Sequence, residues 1–155
     1  MLRVVQLLAS PFYGGPERQM LGLARHLPAD VSSVFLSFAE RGLARPFIDE
    51  VRRLGFAGEL LAHNVPQLGA CVTEIARRLR AHRADVLCCS GYKPDVLGWL
   101  AARRAGVPVV CVSHGWTAAT WKVRGYEALD RWVHGRMDAV VCVSEGQAAK
   151  VREAG

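Results

Sequence analysis

Four short stretches concentrate residue types that do chemistry: SPFYGGPERQM (10–20), SGYKPD (90–95), SHGWT (113–117) and SEGQ (144–147). Each joins glycine to a hydroxyl, a ring nitrogen or a charge, which is more than a chain reversal needs. In the first, Pro16 suits the opening turn of a helix and Glu17 is favoured at its positive end. Gly14 and Gly15 permit a sharp turn and let backbone N–H groups face an anion. The loop therefore reads equally as a glycine turn before a helix or as an anion site. Arg18 is either a cleft residue or a solvated helix residue. In the second stretch Lys93 can hold a phosphate or carboxylate and Tyr92 can stack on a sugar; the plainer reading makes Lys93 a solvated loop residue and Pro94 a helix starter. In the third, His114 follows an apolar run and precedes a glycine, which sets it above His26, His63, His82 and His134, to which no chemistry is assigned. Gly115 and Trp116 beside it join Tyr92 and Lys93 as candidate acceptor or sugar contacts. In the fourth, Ser144 makes a good helix N-cap, and Glu145 follows it.

Several chemistries are excluded by motif. G-x-G-x-x-G and G-K-[ST] are absent, which removes most support for nicotinamide dehydrogenases and P-loop enzymes. G-x-S-x-G is absent too, so Ser113 is no nucleophile elbow. The net charge of +6 is carried almost wholly by arginine. The run 77–83 and the pair Arg103 and Arg104 fall at the C-terminal ends of predicted helices, where cations complement the helix dipole. No zinc-finger spacing, helix-turn-helix or aromatic-interleaved basic sheet accompanies them, and nucleic acid is not an expected partner. The five cysteines form no C-x-x-C pair, and four lie in apolar runs as small buried hydrophobes do in a reducing compartment. This points to the cytoplasm. Gln6 interrupts the short N-terminal apolar stretch, so it is not read as a signal peptide, and no run is long enough to span a membrane.

These residues need elements to position them. The 155 residues fit one domain, with 51% hydrophobic and 22% charged positions as in a soluble globular protein. Strands are expected at 2–8, 31–38, 57–62, 85–90, 107–113 and 139–144. Helices are expected at 16–27, about 43–54, about 68–82, 94–105 and about 118–135, with another beginning after Ser144. Most strand runs are near-continuously apolar, as strands buried on both faces are, and strand and helix alternate without a break. The expected fold is α/β: a Rossmann-like doubly wound parallel sheet of about six strands with helices on both faces. The four chemical stretches then follow the carboxyl ends of strands, where such sheets bind ligands. In 116–136, tryptophans alternate with lysine and arginine. Trp121, Leu129 and Trp132 sit near one helix face, so packing against the sheet is preferred, with docking on an anionic membrane second. The last element stops just after a helix begins, as half of something larger would.

Taken together, GGPER in the first βα loop, SGYKPDVLGWLAARRAGVPVVCVSHGW and MDAVVCVSEG resemble the N-terminal half of retaining GT-B glycosyltransferases of family 4. The resemblance covers nearly the whole chain and rests on order and spacing together. It implies transfer of a sugar from a nucleotide-sugar to a glycan or lipid-linked acceptor in bacterial-type envelope polysaccharide or glycolipid synthesis, without cofactor or metal. By position, Gly14, Gly15 and Arg18 line the cleft facing the donor diphosphate. His114 contacts the donor sugar and aids the transition state without becoming a covalent nucleophile, and Ser144 and Glu145 match the signature that ends this half. The C-terminal nucleotide-binding domain is absent from the chain, so the chain alone is expected to be inactive, and the whole protein to be cytoplasmic or peripheral on the inner face of the cytoplasmic membrane. The competing class is a non-catalytic Rossmann-like module binding a phosphorylated ligand or protein partner.

Overall fold

The computed structural model describes residues 1–115 and 120–154. Six strands, β1 (Leu2–Ala9), β2 (Val31–Phe38), β3 (Ala57–Leu61), β4 (Val86–Ser90), β5 (Val109–Ser113) and β6 (Ala139–Cys142), form one sheet. They alternate with α1 (Gly15–Arg25), α2 (Arg45–Arg53), α3 (Leu68–Ala81), α4 (Tyr92–Ala105), α5 (Trp121–His134) and α6 (Glu145–Glu153); a 3-10 turn, Glu40–Gly42, precedes α2. Every strand pairing is parallel. The expected elements are present, with ends shifted by a few residues.

Successive side chains of a strand point to opposite faces, and both faces of the sheet are packed against helices, the edge strand β6 being half exposed. Leu7, Leu36, Phe38, Leu87, Cys89 and Cys111 pack with Ile75 and Leu79 of α3 and Leu97 and Ala101 of α4. Leu8, Phe35 and Val112 pack on the other side with Met20 and Leu21 of α1 and Phe47, Ile48 and Val51 of α2. This double burial is why the strand sequences are continuous rather than alternating. Carboxylates pin the strand entries: Asp85 accepts from the Arg3 N–H at 2.7 Å, and Asp138 from the Val109 N–H at 2.8 Å. The arginines expected at helix ends are there, Arg78 and Arg80 in the last turn of α3 and Arg103 and Arg104 in that of α4.

The strand order is β3-β2-β1-β4-β5-β6. The chain winds outward in one direction from β1, then crosses back to β4 and winds the other way, so the crevice beyond the carboxyl ends of β1 and β4 is the place where such a sheet leaves room for a ligand.

The tryptophan segment does not pack as expected. Trp121 is 79% exposed, Trp132 48% and Leu129 45%, whereas Glu127, Asp130, Val133 and His134 of α5 are buried. The inward face of α5 carries the charged groups, because Asp95 and Tyr92 of α4 supply them with partners.

Candidate functional site

A cavity of about 240 Å³ lies at the switch point between β1 and β4. Its walls come from the ends of three strands, Leu8 and Ala9, Ser90, and Val112 and Ser113, together with Pro16, Glu17, Gly91, Tyr92, His114 and Gly115; Asp95 and Asp130 also line it.

The N-terminus of α1 forms one wall. The Gly14 N–H donates to Glu17 Oε2 at 3.0 Å, and the Gly14 carbonyl accepts from the Arg18 N–H. Glu17 thereby satisfies one N–H that the helix end leaves without an internal partner, and it is buried. The two glycines differ. A Cβ on Gly14 meets the Phe12 ring at 2.5 Å, whereas a Cβ on Gly15 meets nothing within 4 Å. Neither has a positive φ, so the turn does not use the left-handed backbone that favours glycine. Arg18 is exposed, its guanidinium 5.4 Å from the centre of the Tyr13 ring.

His114 stands at the end of β5. Its Nε2 lies 2.9 Å from Ser90 Oγ at the end of β4, which fixes the ring over the cavity mouth. Burial holds its pKa below the ordinary 6.5, against a weaker opposing pull from Glu17, so the imidazole is neutral at pH 7. Gly115 has φ +118°, a conformation that a side chain strains. Trp116 lies outside the described residues.

Tyr92 reaches the cavity, its hydroxyl donating to Glu127 Oε1 at 3.3 Å. Burial, reinforced by Glu127, pushes its pKa up to about 12. Lys93 does not join it. The ammonium pairs with Glu40, donates to Asn64 Oδ1 at 2.9 Å and sits 4.5 Å from the centre of the Phe38 ring. It is neither a solvated loop residue nor a cavity residue; it ties the start of α4 to the turn after β2. Ser144 caps α6, accepting from the Gln147 N–H at 3.2 Å, and Glu145 is exposed. The link from α6 to the site is Gln147, which is buried and donates to Ser113 Oγ at 2.9 Å.

Beneath the cavity is a cluster that the sequence reading passed over. His134 Nε2 lies 3.2 Å from Asp95 Oδ2 and 3.2 Å from Asp130 Oδ2, and all three residues are at most 5% exposed. Burial lifts the Asp95 pKa to about 7 despite the His134 hydrogen bond. Burial lowers that of His134, but the bonds to Asp130 and Asp95 outweigh it and hold the ring protonated. Cys111, the fully buried thiol of β5, lies beside them; one ligand-type atom from each of Asp95, Cys111 and His134 falls within 4.8 Å of the others. The signal for this cluster was the i, i+4 spacing of Asp130 and His134 on one helix.

The model of glycosyltransferase family 4 matches residues 13–155. The chain belongs to that family. No curated protein sequence matches it. Among solved structures, Anabaena HepE in complex with UDP-glucose superposes with a TM-score of 0.81 at 18% identity over 100% of this chain and 41% of that one. A glycosyltransferase from Rickettsia africae gives 0.75 at 15% over 98% and 39%. The S. aureus MnaA–UDP structure gives 0.72 at 14% over 100% and 42%. These likenesses establish the fold, an N-terminal GT-B domain, and the chain spans about two fifths of each protein. Among the described residues no helix is long and apolar enough to cross a membrane.

Proposed function

We propose that the chain is the acceptor-side half of a retaining glycosyltransferase, which moves a sugar from a nucleotide-sugar to a glycan or lipid-linked acceptor in envelope polysaccharide or glycolipid synthesis. One observation carries the reading: the N-terminus of α1 and His114 converge on a single cavity at the switch point of the sheet. A helix N-terminus offers N–H donors and a positive potential to a diphosphate. With Nε2 tied to Ser90, Nδ1 of His114 is the atom that meets a sugar hydroxyl. At about 240 Å³ the cavity falls below the ~300 Å³ lower limit usual for small-molecule sites, which agrees with a second wall supplied by another domain. HepE and MnaA are described in complex with UDP or UDP-glucose, and a nucleotide-sugar is the donor proposed here.

The whole protein acts on the cytoplasmic side, the transfer step needs no metal, and this chain alone does not turn over. Donors positioned at developing charge are each worth roughly 10²–10³ in rate, so in the whole protein His114→Ala lowers transfer by about that factor with the acceptor bound normally. Unchanged transfer by that variant rules the role out.

The exposed face of α5 supports a second part of the reading, peripheral attachment to an anionic bilayer. Trp121, Tyr126, Leu129 and Trp132 are exposed beside Lys122 and Arg124, and amphipathic rings with interspersed cations favour the headgroup region. Co-sedimentation with phosphatidylglycerol vesicles at low salt tests it: binding should weaken on joint Trp121→Ala and Arg124→Ala substitution. No binding by the parent protein refutes it.

A further inference from the structure

We propose that Asp95, Asp130, His134 and Cys111 form a binding site for a divalent transition metal of the Zn²⁺ type, which fastens α4 and α5 to β5 beneath the cavity. The inference does not depend on the transfer reaction, and it departs from the expectation that the chain binds no metal; the ion is structural.

Four independent features of the cluster suit a metal ion. First, the donor set is one imidazole, one thiol and two carboxylates, the set that tetrahedral zinc sites draw on. Second, the geometry is close to what an ion requires. Bonds of about 2.0–2.3 Å place ligand atoms roughly 3.3–3.8 Å apart around a tetrahedral centre. Here the His134 Nε2 to carboxylate separations are 3.2 Å, and the Asp95, Cys111 and His134 atoms lie within 4.8 Å. Third, Asp95 is 2% exposed, yet its Oδ1 has no hydrogen-bond partner. A buried carboxylate oxygen without a donor is costly, and a cation relieves it. Fourth, Asp95 and Asp130 line the cavity, so an ion has a path in from solvent.

The balance of protons is explicit. A proton is now held between the His134 ring and the two carboxylates, and the Cys111 thiol is kept protonated by burial. On coordination His134 Nε2 gives up its proton and its lone pair binds the metal. Cys111 gives up its S–H proton and binds as thiolate, so each ion taken up releases protons to solvent.

Cobalt(II) is the probe for the test, added to tag-free, chelator-treated chain. The expected result is one Co²⁺ per chain, with a thiolate-to-cobalt charge-transfer band in the near ultraviolet and intensified visible bands of a tetrahedral centre. Cys111→Ser should remove the charge-transfer band and Cys142→Ser should keep it. Asp95→Asn should weaken binding by more than about 100-fold, beyond what residues that merely support ligands contribute. Should these variants not fold, as judged by circular dichroism, X-ray absorption of the zinc-loaded parent chain decides the matter. One sulfur at about 2.3 Å with nitrogen and oxygen at about 2.0 Å supports the site. Absence of a charge-transfer band in the parent chain overturns it, as does survival of the band in Cys111→Ser or a zinc shell without sulfur.

Discussion

Replacing Gly98 by alanine is the sharpest probe of how α4 is seated. Gly98 lies in mid-helix against the sheet, and a Cβ there falls on Cys89 Sγ inside any real contact distance, with Leu7 Cδ2 at 3.1 Å and Leu87 Cδ2 at 3.3 Å. All three neighbours are fully buried, so none can swing into solvent. Two effects compete. Alanine gains about 1 kcal/mol over glycine in a helix interior, while forcing a methyl into a packed core costs about 1–3 kcal/mol. With the closest contact on a buried sulfur the upper end of that range applies, and the net loss is about 1–2 kcal/mol. For a chain of this size that is roughly 3–8 °C in Tm.

Thermal unfolding followed by circular dichroism measures the shift. Cys89→Ala in the Gly98→Ala background removes the clashing atom and should restore most of the loss, a coupling of about 1–2 kcal/mol in a double-mutant cycle. A Gly98→Ala protein as stable as the parent, or a second substitution that restores nothing, refutes the placement of α4 on β4. The consequence reaches the site, since the first turn of α4 carries Tyr92 and Asp95 to the cavity.

The imidazole of His114 should titrate below 6.5 by NMR, because burial disfavours its charged form. Folding then favours the neutral ring, so this group's contribution to stability falls as pH drops through 6.5 and is restored above it; a midpoint above 6.5 contradicts this. Glu17→Ala leaves the Gly14 N–H without its acceptor and should cost about 1 kcal/mol in denaturant unfolding, with Glu17→Gln losing less; equal stability of all three proteins contradicts the cap. Gly15→Ala should be neutral or stabilising by up to about 1 kcal/mol, since nothing occupies the space beside it, while weakening nucleotide-sugar binding by the whole protein. A clear drop in the chain's own Tm contradicts that separation. Among the thiols, burial raises Cys71, Cys89 and Cys111 and pushes Cys88 to about 12, whereas Cys142 is half-buried at the sheet edge. A disulfide reagent should therefore modify Cys142 ahead of Cys88, which is also half-buried but has a raised pKa, and the buried Cys71, Cys89 and Cys111 at the rate of unfolding; rapid reaction at Cys89 contradicts the packing.

The fold was legible because strands buried on both faces are near-continuously apolar, and VLCCS, VVCVS and VFLSF, broken only by serine, show that at sight. The strand order was legible only as a class, since no residue type encodes which strands are neighbours. At the site, residue types pointed to the carboxyl edge, and there Tyr92, His114 and the start of α1 line one cavity. Lys93 misled because the sequence does not reveal that Glu40, 53 residues away, waits for it across the turn after β2. Ser144 and Glu145 drew attention by their motif, whereas the side chain bonded to the wall residue Ser113 is that of Gln147, whose amide is indistinguishable in sequence from any exposed glutamine.

The helix α5 explains the largest departure. Apolar periodicity assumes that the face toward the protein is the face away from water, and Trp121, Leu129 and Trp132 fit that assumption well enough to suggest a packed stripe. In the fold Trp121 and Leu129 face outward and Trp132, half exposed, packs edge-on against Trp99 of α4, while Glu127, Asp130 and His134 face inward. Desolvating such groups costs several kcal/mol for each ion unless partners repay it. The repayment is visible: Tyr92 donates to Glu127, and His134 stands between Asp95 and Asp130. An apolar inward face would give a more stable helix with no such dependence on a neighbour. Sequences break their own local rules chiefly where a site requires it, and these groups lie directly under the cavity that the switch point leaves open. The inverted face of α5 is therefore itself an argument that the cavity floor has a task, separate from the helix N-terminus and the histidine that form its walls.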